Sequence, residues 1–187
     1  MEIDEILDSI YVLPEVAKQK LIDCIAEVQY TKGHVLLRAD RIEQKIYFIK
    51  EGIARGYVSY DDSEVTFWFG KEGDTVVSMQ SYVNNKRGYE DIELLEDCWL
   101  YEISGAALQK LFAENIDVAN WGRKFAELEL IKTEERLIDL QFKTATERYK
   151  VLLEKSPDLI QRVQLGYIAS YLGITQVSLS RIRSEIR

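Results

Sequence analysis

The residues whose types and spacing suit chemistry lie close to the C-terminus. Between Leu165 and Ile182 the run LGYIASYLGITQVSLSRI sets a small residue, Ala169, four positions before Gly173, with Thr175 two further on. Alanine lets two helices approach closely, glycine permits the left-handed turn that ends the first, and a threonine hydroxyl can accept a free N–H at the start of the second. Leu165, Ile168 and Leu172 then form the inner face of one helix, and Leu179, Ile182 and Ile186 that of the next. Outside remain Gln176, Val177, Ser178, Ser180, Arg181, Arg183 and Ser184, a small, polar and basic face. Such a face suits the major groove of a duplex: glutamine pairs with adenine, arginine with guanine, and serine or threonine with bases or phosphates. The residues expected to contact DNA are Thr175, Gln176, Ser178, Ser180, Arg181 and Arg183. An ordinary helical hairpin is the alternative, but it has no need of the alanine, glycine, cap and basic face together.

Other chemistry is poorly served. With one histidine, His34, there is no metal triad and no Ser-His-Asp set, and neither a GxGxxG nor a Walker-type loop occurs. Carboxylates are abundant, but no spacing singles out a pair. Cys24 and Cys98 are too few and too far apart for a disulfide scaffold, a zinc finger or an iron–sulfur cluster, and read as buried, reduced thiols. A non-enzyme without a metal or a definite cofactor is expected.

Charge bears on the partner. The 187 residues carry 24 Lys plus Arg against 32 Asp plus Glu, a net charge of −8, which taken whole argues against nucleic acid. Residues 142–187, however, hold eight basic residues against four acidic ones, while residues 1–141 hold 16 against 28. The overall charge hides a basic module behind an acidic one, a split that points to nucleic acid at one end.

Elements must position that module. Residues 1 to about 30 read as helical, with Ile3, Ile6, Leu7, Ile10 and later Val16, Leu21, Ile22, Ile25 and Val28 at helix-like spacings broken near Pro14. From 31 to about 103, short β-branched and aromatic runs alternate with turn signals such as Lys32-Gly33, Glu51-Gly52, Asp61-Asp62-Ser63 and Lys71-Glu72-Gly73-Asp74. About seven strands without intervening helices predict an antiparallel jelly roll. Beyond Ser104 the pattern is helical: a short piece over Ala106–Ala113, then a long helix from about Ile116 to about Phe142. On the long helix Leu128, Ile131, Ile138 and Phe142 form one apolar line and Leu130, Leu137 and Leu140 another, with Glu135 at a heptad-like position of the first. One stripe is expected to pack on the β-domain and the other on a second copy of the chain, so Leu128, Ile131 and Ile138 are the expected dimer contacts. A long helix buried within one chain is the alternative. No apolar run approaches membrane-spanning length and Met1-Glu2-Ile3-Asp4-Glu5 has no basic signal region, so a cytoplasmic protein without membrane contact is expected.

In this order, a β-roll, a long helix and a helix-turn-helix resemble the transcription regulators of the cyclic AMP receptor protein and Fnr family. The resemblance spans nearly the whole chain and rests on IYFIKEGIARGYV (46–58), KEGDTVVS (71–78) with CWLYEIS (98–104), and QRVQLGYIASYLGITQVSLSRIR (161–183). The last of these looks like the compact subgroup common in Bacteroidetes. The resemblance implies an α+β chain with a cyclic-nucleotide-binding-like sensor over 1–115, a dimerisation helix over 116–142 and a DNA-binding domain over 143–187. It also implies a homodimer on a pseudo-palindromic operator, an effector pocket in the β-roll, and RNA polymerase as a further partner.

The departures matter as much. Where relatives that bind cyclic AMP carry a Gly-Glu pair for the ribose and an Arg-Ser pair for the phosphate, this chain has Val77-Ser78 and Gly88-Tyr89. Loss of the charged acceptor and of the counter-charge argues against cyclic AMP. Lys86 and Arg87 lie beside the lost arginine and could serve another anion, so Ser78, Lys86, Arg87 and Tyr89 are the expected effector contacts, with the effector itself unassigned. Two cysteines cannot hold the family's [4Fe–4S] cluster, and His34 at a strand start is a poor haem ligand. The competing reading is a ligand-sensing or interaction protein that kept the β-roll shape without binding DNA.

Overall fold

A computed structural model describes residues 1–61 and 63–186; Asp62, within the expected Asp61–Ser63 turn, and Arg187 lie outside the described residues. Two short helices, α1 (Ile3–Ile10) and α2 (Glu15–Ile22), precede the strands β1 (Ala26–Tyr30), β2 (Val35–Leu37), β3 (Lys45–Glu51), β4 (Ala54–Tyr60), β5 (Ser63–Gly70), β6 (Thr75–Val76), β7 (Asp91–Leu94) and β8 (Cys98–Ser104). A helix, α3 (Met79–Asn84), interrupts the strands between β6 and β7. After them come α4 (Gly105–Glu114), α5 (Ile116–Phe142), α6 (Ala145–Lys155), α7 (Pro157–Arg162), α8 (Leu165–Tyr171) and α9 (Gln176–Ile186). The strands form two four-stranded sheets, ordered β1-β8-β3-β6 and β2-β7-β4-β5.

Two expectations need correcting. Residues 26–30 are not helical: β1 pairs antiparallel with β8, Ala26 opposite Glu102 through Tyr30 opposite Cys98. The spacing of Ile22, Ile25 and Val28 mimics a helix face, but the pairing partner that decides their conformation lies some 70 residues away. Nor are the strands free of helices, since α3 sits among them.

Why β3 is apolar at four consecutive positions follows from its place. Ile46, Tyr47, Phe48 and Ile49 are all at most 5% exposed. Successive strand side chains point to opposite faces. Ile46 and Phe48 join Tyr101 and Ile103 of β8 in a core with Ile6, Leu7, Leu13, Ala17 and Leu21 of the N-terminal helices, Leu108 of α4, and Val118 and Trp121 of α5. Tyr47 and Ile49 face the other way. Helices thus cover one face of the β1-β8-β3-β6 sheet, which a strand buried on both faces requires.

At the β3–β4 turn Gly52 adopts φ +114°, and a Cβ there would lie 2.3 Å from Cys98 Sγ. Cys98 is fully buried and its sulfur faces the carbonyls of Ile53 and Glu96. Burial pushes its thiol up to about 11, whereas Cys24, expected to be buried, is exposed just past the end of α2. Because the thiolate is the nucleophile, iodoacetamide is expected to add once to the native protein, at Cys24, and twice after denaturation, as read by intact mass. Two adducts forming at equal rates on the native chain would contradict this packing.

The described chain divides into two compact units, one of residues 1–56 with 69–129, the other of residues 57–68 with those from 130 onward. The division passes through α5 and assigns the outer part of the β4–β5 hairpin to the C-terminal unit.

Candidate nucleic-acid interface

The C-terminal unit ends in α8, a tight turn and α9. Gly173 has φ +68°, a conformation that L side chains rarely adopt. The turn is closed by Gly173 N–H donating to Ser170 O and Ile174 N–H to Ala169 O, both at 3.0 Å. Ile168, Ala169 and Leu172 on one side and Leu179 and Ile182 on the other are buried, which locks the two helices face to face. Thr175 Oγ1 accepts from Ser178 N at 3.2 Å, so the expected cap of α9 is in place.

At 100° per residue, Val177, Ser180, Arg181 and Ser184 fall on the side of α9 opposite its buried residues, with Gln176 at the border of that face. All five are exposed, Val177 among them at 65%. Thr175 and Ser178 are exposed at the N-terminal rim, and Arg183 is half-buried at the flank. Ser180 and Ser184 donate their hydroxyl protons to the backbone oxygens of Gln176 and Arg181, which leaves their oxygens as acceptors. Sequence reasoning placed Val177 and Ser184 outside but did not count them as contacts; an exposed valine mid-face offers an apolar patch of the kind that meets a thymine methyl.

Three positioning side chains had no signal in the sequence. Arg136 of α5 stacks on the Tyr171 ring, 3.6 Å from guanidinium carbon to centroid, and donates to Tyr171 O at 2.7 Å. Burial pulls its guanidinium below its usual range, opposed by the neighbouring Tyr171. Arg148 of α6 donates to Leu172 O at 2.7 Å and to Lys143 O at 2.6 Å. Ser170 bonds to β5, as described below. Three consecutive residues at the end of α8 are thus gripped by three elements. Upstream, α6 begins in a capping box of Thr144 and Glu147, and the Thr144 backbone N–H and hydroxyl hold the Glu147 carboxyl below the usual glutamate range.

On α5, Val118 and Trp121 are buried, Leu128 is half-buried, and from Leu130 onward the apolar residues lie open: Leu130, Ile131, Leu137, Ile138, Leu140 and Phe142 are 42–79% exposed. Glu135, at the polar position of the first stripe, pairs with Lys155 of α6 at 3.1 Å.

In the β-roll the expected effector residues separate. Ser78 is 3% exposed, and its Oγ has no hydrogen-bond partner among the described residues. It sits against Gly88, where an added Cβ would lie 2.7 Å from Ser78 Oγ and 3.4 Å from a carboxylate oxygen of buried Glu90. Lys86, Arg87 and Tyr89 are exposed on the loop outside. Nearby, Arg55 of β4 is 1% exposed and pairs with Glu93 of β7 at 2.7 Å.

A β-roll, a long helix and a capped helix-turn-helix define the class. Residues 27–115 match the family model of the cyclic nucleotide-binding domain. Solved structures with the same fold include FixK2 from Bradyrhizobium japonicum, with 23% identity, 87% of this chain and 84% of that one covered, and a TM-score of 0.74. The c-di-GMP responsive global regulator CLP from Xanthomonas campestris has 19% identity, covers 92% and 91%, and scores 0.71. A transcriptional regulator of the Crp/Fnr family from Eubacterium rectale has 17% identity, covers 91% and 82%, and scores 0.70. The chain therefore has the fold of the Crp/Fnr regulators. No curated protein matches it in sequence. Among the described residues no helix is long and apolar enough to cross a membrane.

Proposed function

We propose that the protein is a dimeric, sequence-specific DNA-binding transcription regulator, not an enzyme, whose β-roll does not take cyclic AMP. The observation that carries the first part is the exposed face of α9, with Gln176, Val177, Ser180 and Arg181 presented by a helix that is capped, backed by a buried seam and preceded by a left-handed glycine. The exposed stripe of α5 supports a second copy as partner. Two such faces across a dimer would read successive major grooves, about 34–36 Å apart. Gly88-Tyr89 stands where cyclic AMP-binding relatives carry the Arg-Ser pair, and a Cβ on Gly88 would lie 2.7 Å from Ser78 Oγ, so a side chain there would have to displace that buried hydroxyl. A buried carboxylate beside that position also disfavours an anion. On this reading RNA polymerase is a further partner and the cytoplasm is the location. Effector binding, where it occurs, would shift the population of dimer arrangements.

Selection from a random duplex pool tests the reading: an enriched palindrome is expected. Binding should weaken steeply with salt, and a near-flat plot of log K against log salt would favour the protein that kept the shape without binding DNA. Arg181→Ala is expected to cost about 1–3 kcal/mol of affinity on duplexes bearing a guanine at one half-site position. Equal loss on every duplex would place Arg181 on phosphate.

A further inference from the structure

The β4–β5 hairpin is rooted in the β-roll at residues 54–56 and 69–70, yet its outer part, Tyr57–Trp68, belongs to the C-terminal unit. β5 is the edge strand of its sheet, and an edge presents N–H and C=O groups to whatever lies beside it. Beside it here is α8. Ser170 Oγ accepts from Thr66 N at 2.9 Å and donates to Glu64 O at 3.1 Å, so one hydroxyl satisfies both groups of the edge. Thr66 is 1% exposed at this contact. Both bonds run through the Ser170 hydroxyl, a group whose hydrogen bonds water can replace.

Charge gives the contact a consequence. Residues 130–187 carry ten Lys or Arg and seven Asp or Glu, an excess of three positive charges. The segment Tyr57–Trp68 carries three carboxylates, Asp61, Asp62 and Glu64, and no cation. Docking the hairpin brings the C-terminal unit to neutrality, which removes the long-range attraction a polyanion would feel.

We propose that the β4–β5 hairpin is an autoinhibitory strap: bonded to Ser170, it keeps an acidic segment on the helix-turn-helix and lowers the affinity for duplex DNA, and its release raises that affinity. The inference rests on the DNA-binding reading above and adds to it a route from the β-roll to α8.

The test uses the full chain and the variants Ser170→Ala and Asp61→Asn. Asparagine suits the φ of +50° at position 61, so the second variant keeps the turn. Hydrogen exchange without DNA reads docking alone: Thr66 N–H is expected to exchange faster in Ser170→Ala than in the wild type, and equal rates overturn the strap. On a random-sequence duplex at low salt, Ser170→Ala should bind about threefold to tenfold more tightly and Asp61→Asn about twofold more tightly, the gain of the latter fading at high salt. Unchanged or weaker binding by Ser170→Ala, with wild-type binding measurable, overturns the proposal. Absence of duplex binding by the wild type and both variants overturns the DNA-binding reading on which it rests. In that case Thr66 exchange still reports whether the hairpin is docked.

Discussion

Trp121→Ala is expected to destabilise the N-terminal unit by about 3–5 kcal/mol, the range for removing a large buried aromatic. Trp121 is 1% exposed, meets Phe48 edge-on at 6.2 Å and stacks on Phe125 at 6.0 Å. Its indole N–H donates to Leu7 O at 3.0 Å. The residue therefore ties α5, β3 and α1 together, and truncation empties the place where three elements meet. Trp121→Phe should be milder, about 1–2 kcal/mol, because Leu7 O keeps a second donor in Tyr11 N–H and only part of the ring volume is lost. Urea unfolding of the three proteins checks the order. A loss below about 1 kcal/mol for the alanine variant would mean that the site collapses around the gap.

The double variant Ile131→Asp/Ile138→Asp is expected to abolish the proposed dimer while sparing the fold. In the single chain both side chains are about half exposed, at 50% and 47%, so two carboxylates there cost little. Across a seam between two copies the four carboxylates would be buried near one another, a penalty of about 3–5 kcal/mol, or more than a hundredfold in the association constant. Sedimentation at micromolar concentration should give twice the chain mass for the wild type and the chain mass for the variant. Binding to a palindromic duplex should fall by about two orders of magnitude as the second half-site is lost. A variant that still sediments with the wild type, with unfolding unchanged, would place the partner surface elsewhere.

What could be read beforehand tracks how local the cause is. The helix-turn-helix depends on Ala169, Gly173 and Thr175 at fixed short offsets, and each acts on its own backbone or the next turn, so the sequence announces the motif. The bounds of α5 were equally plain, because Ile116 to Phe142 contains one glycine and no proline. The strand at Ala26–Tyr30 was hidden, since Val28 becomes a strand residue only by lying opposite Leu100. Arg136, Arg148 and Ser170 were hidden for a related reason. Their partners are the Tyr171 and Leu172 carbonyls and the edge of β5, and no spacing records which backbone oxygen a long side chain will find. In the β-roll, the Gly88-Tyr89 pair was legible, but the buried Ser78 and Glu90 that lie against Gly88 were visible only in three dimensions.

The bond from Trp121 to Leu7 joins residues 114 positions apart. During synthesis the N-terminal helices are made first, yet the residue that completes their core appears only after about two thirds of the 187-residue chain. Until then α1 and α2 lack a wall of their packing, and the closure entropy of that long loop is unmet. Vectorial folding should therefore hold the β-roll open through the translation of its own strands. It would close as the first turns of α5 leave the ribosome, before α9 has been made.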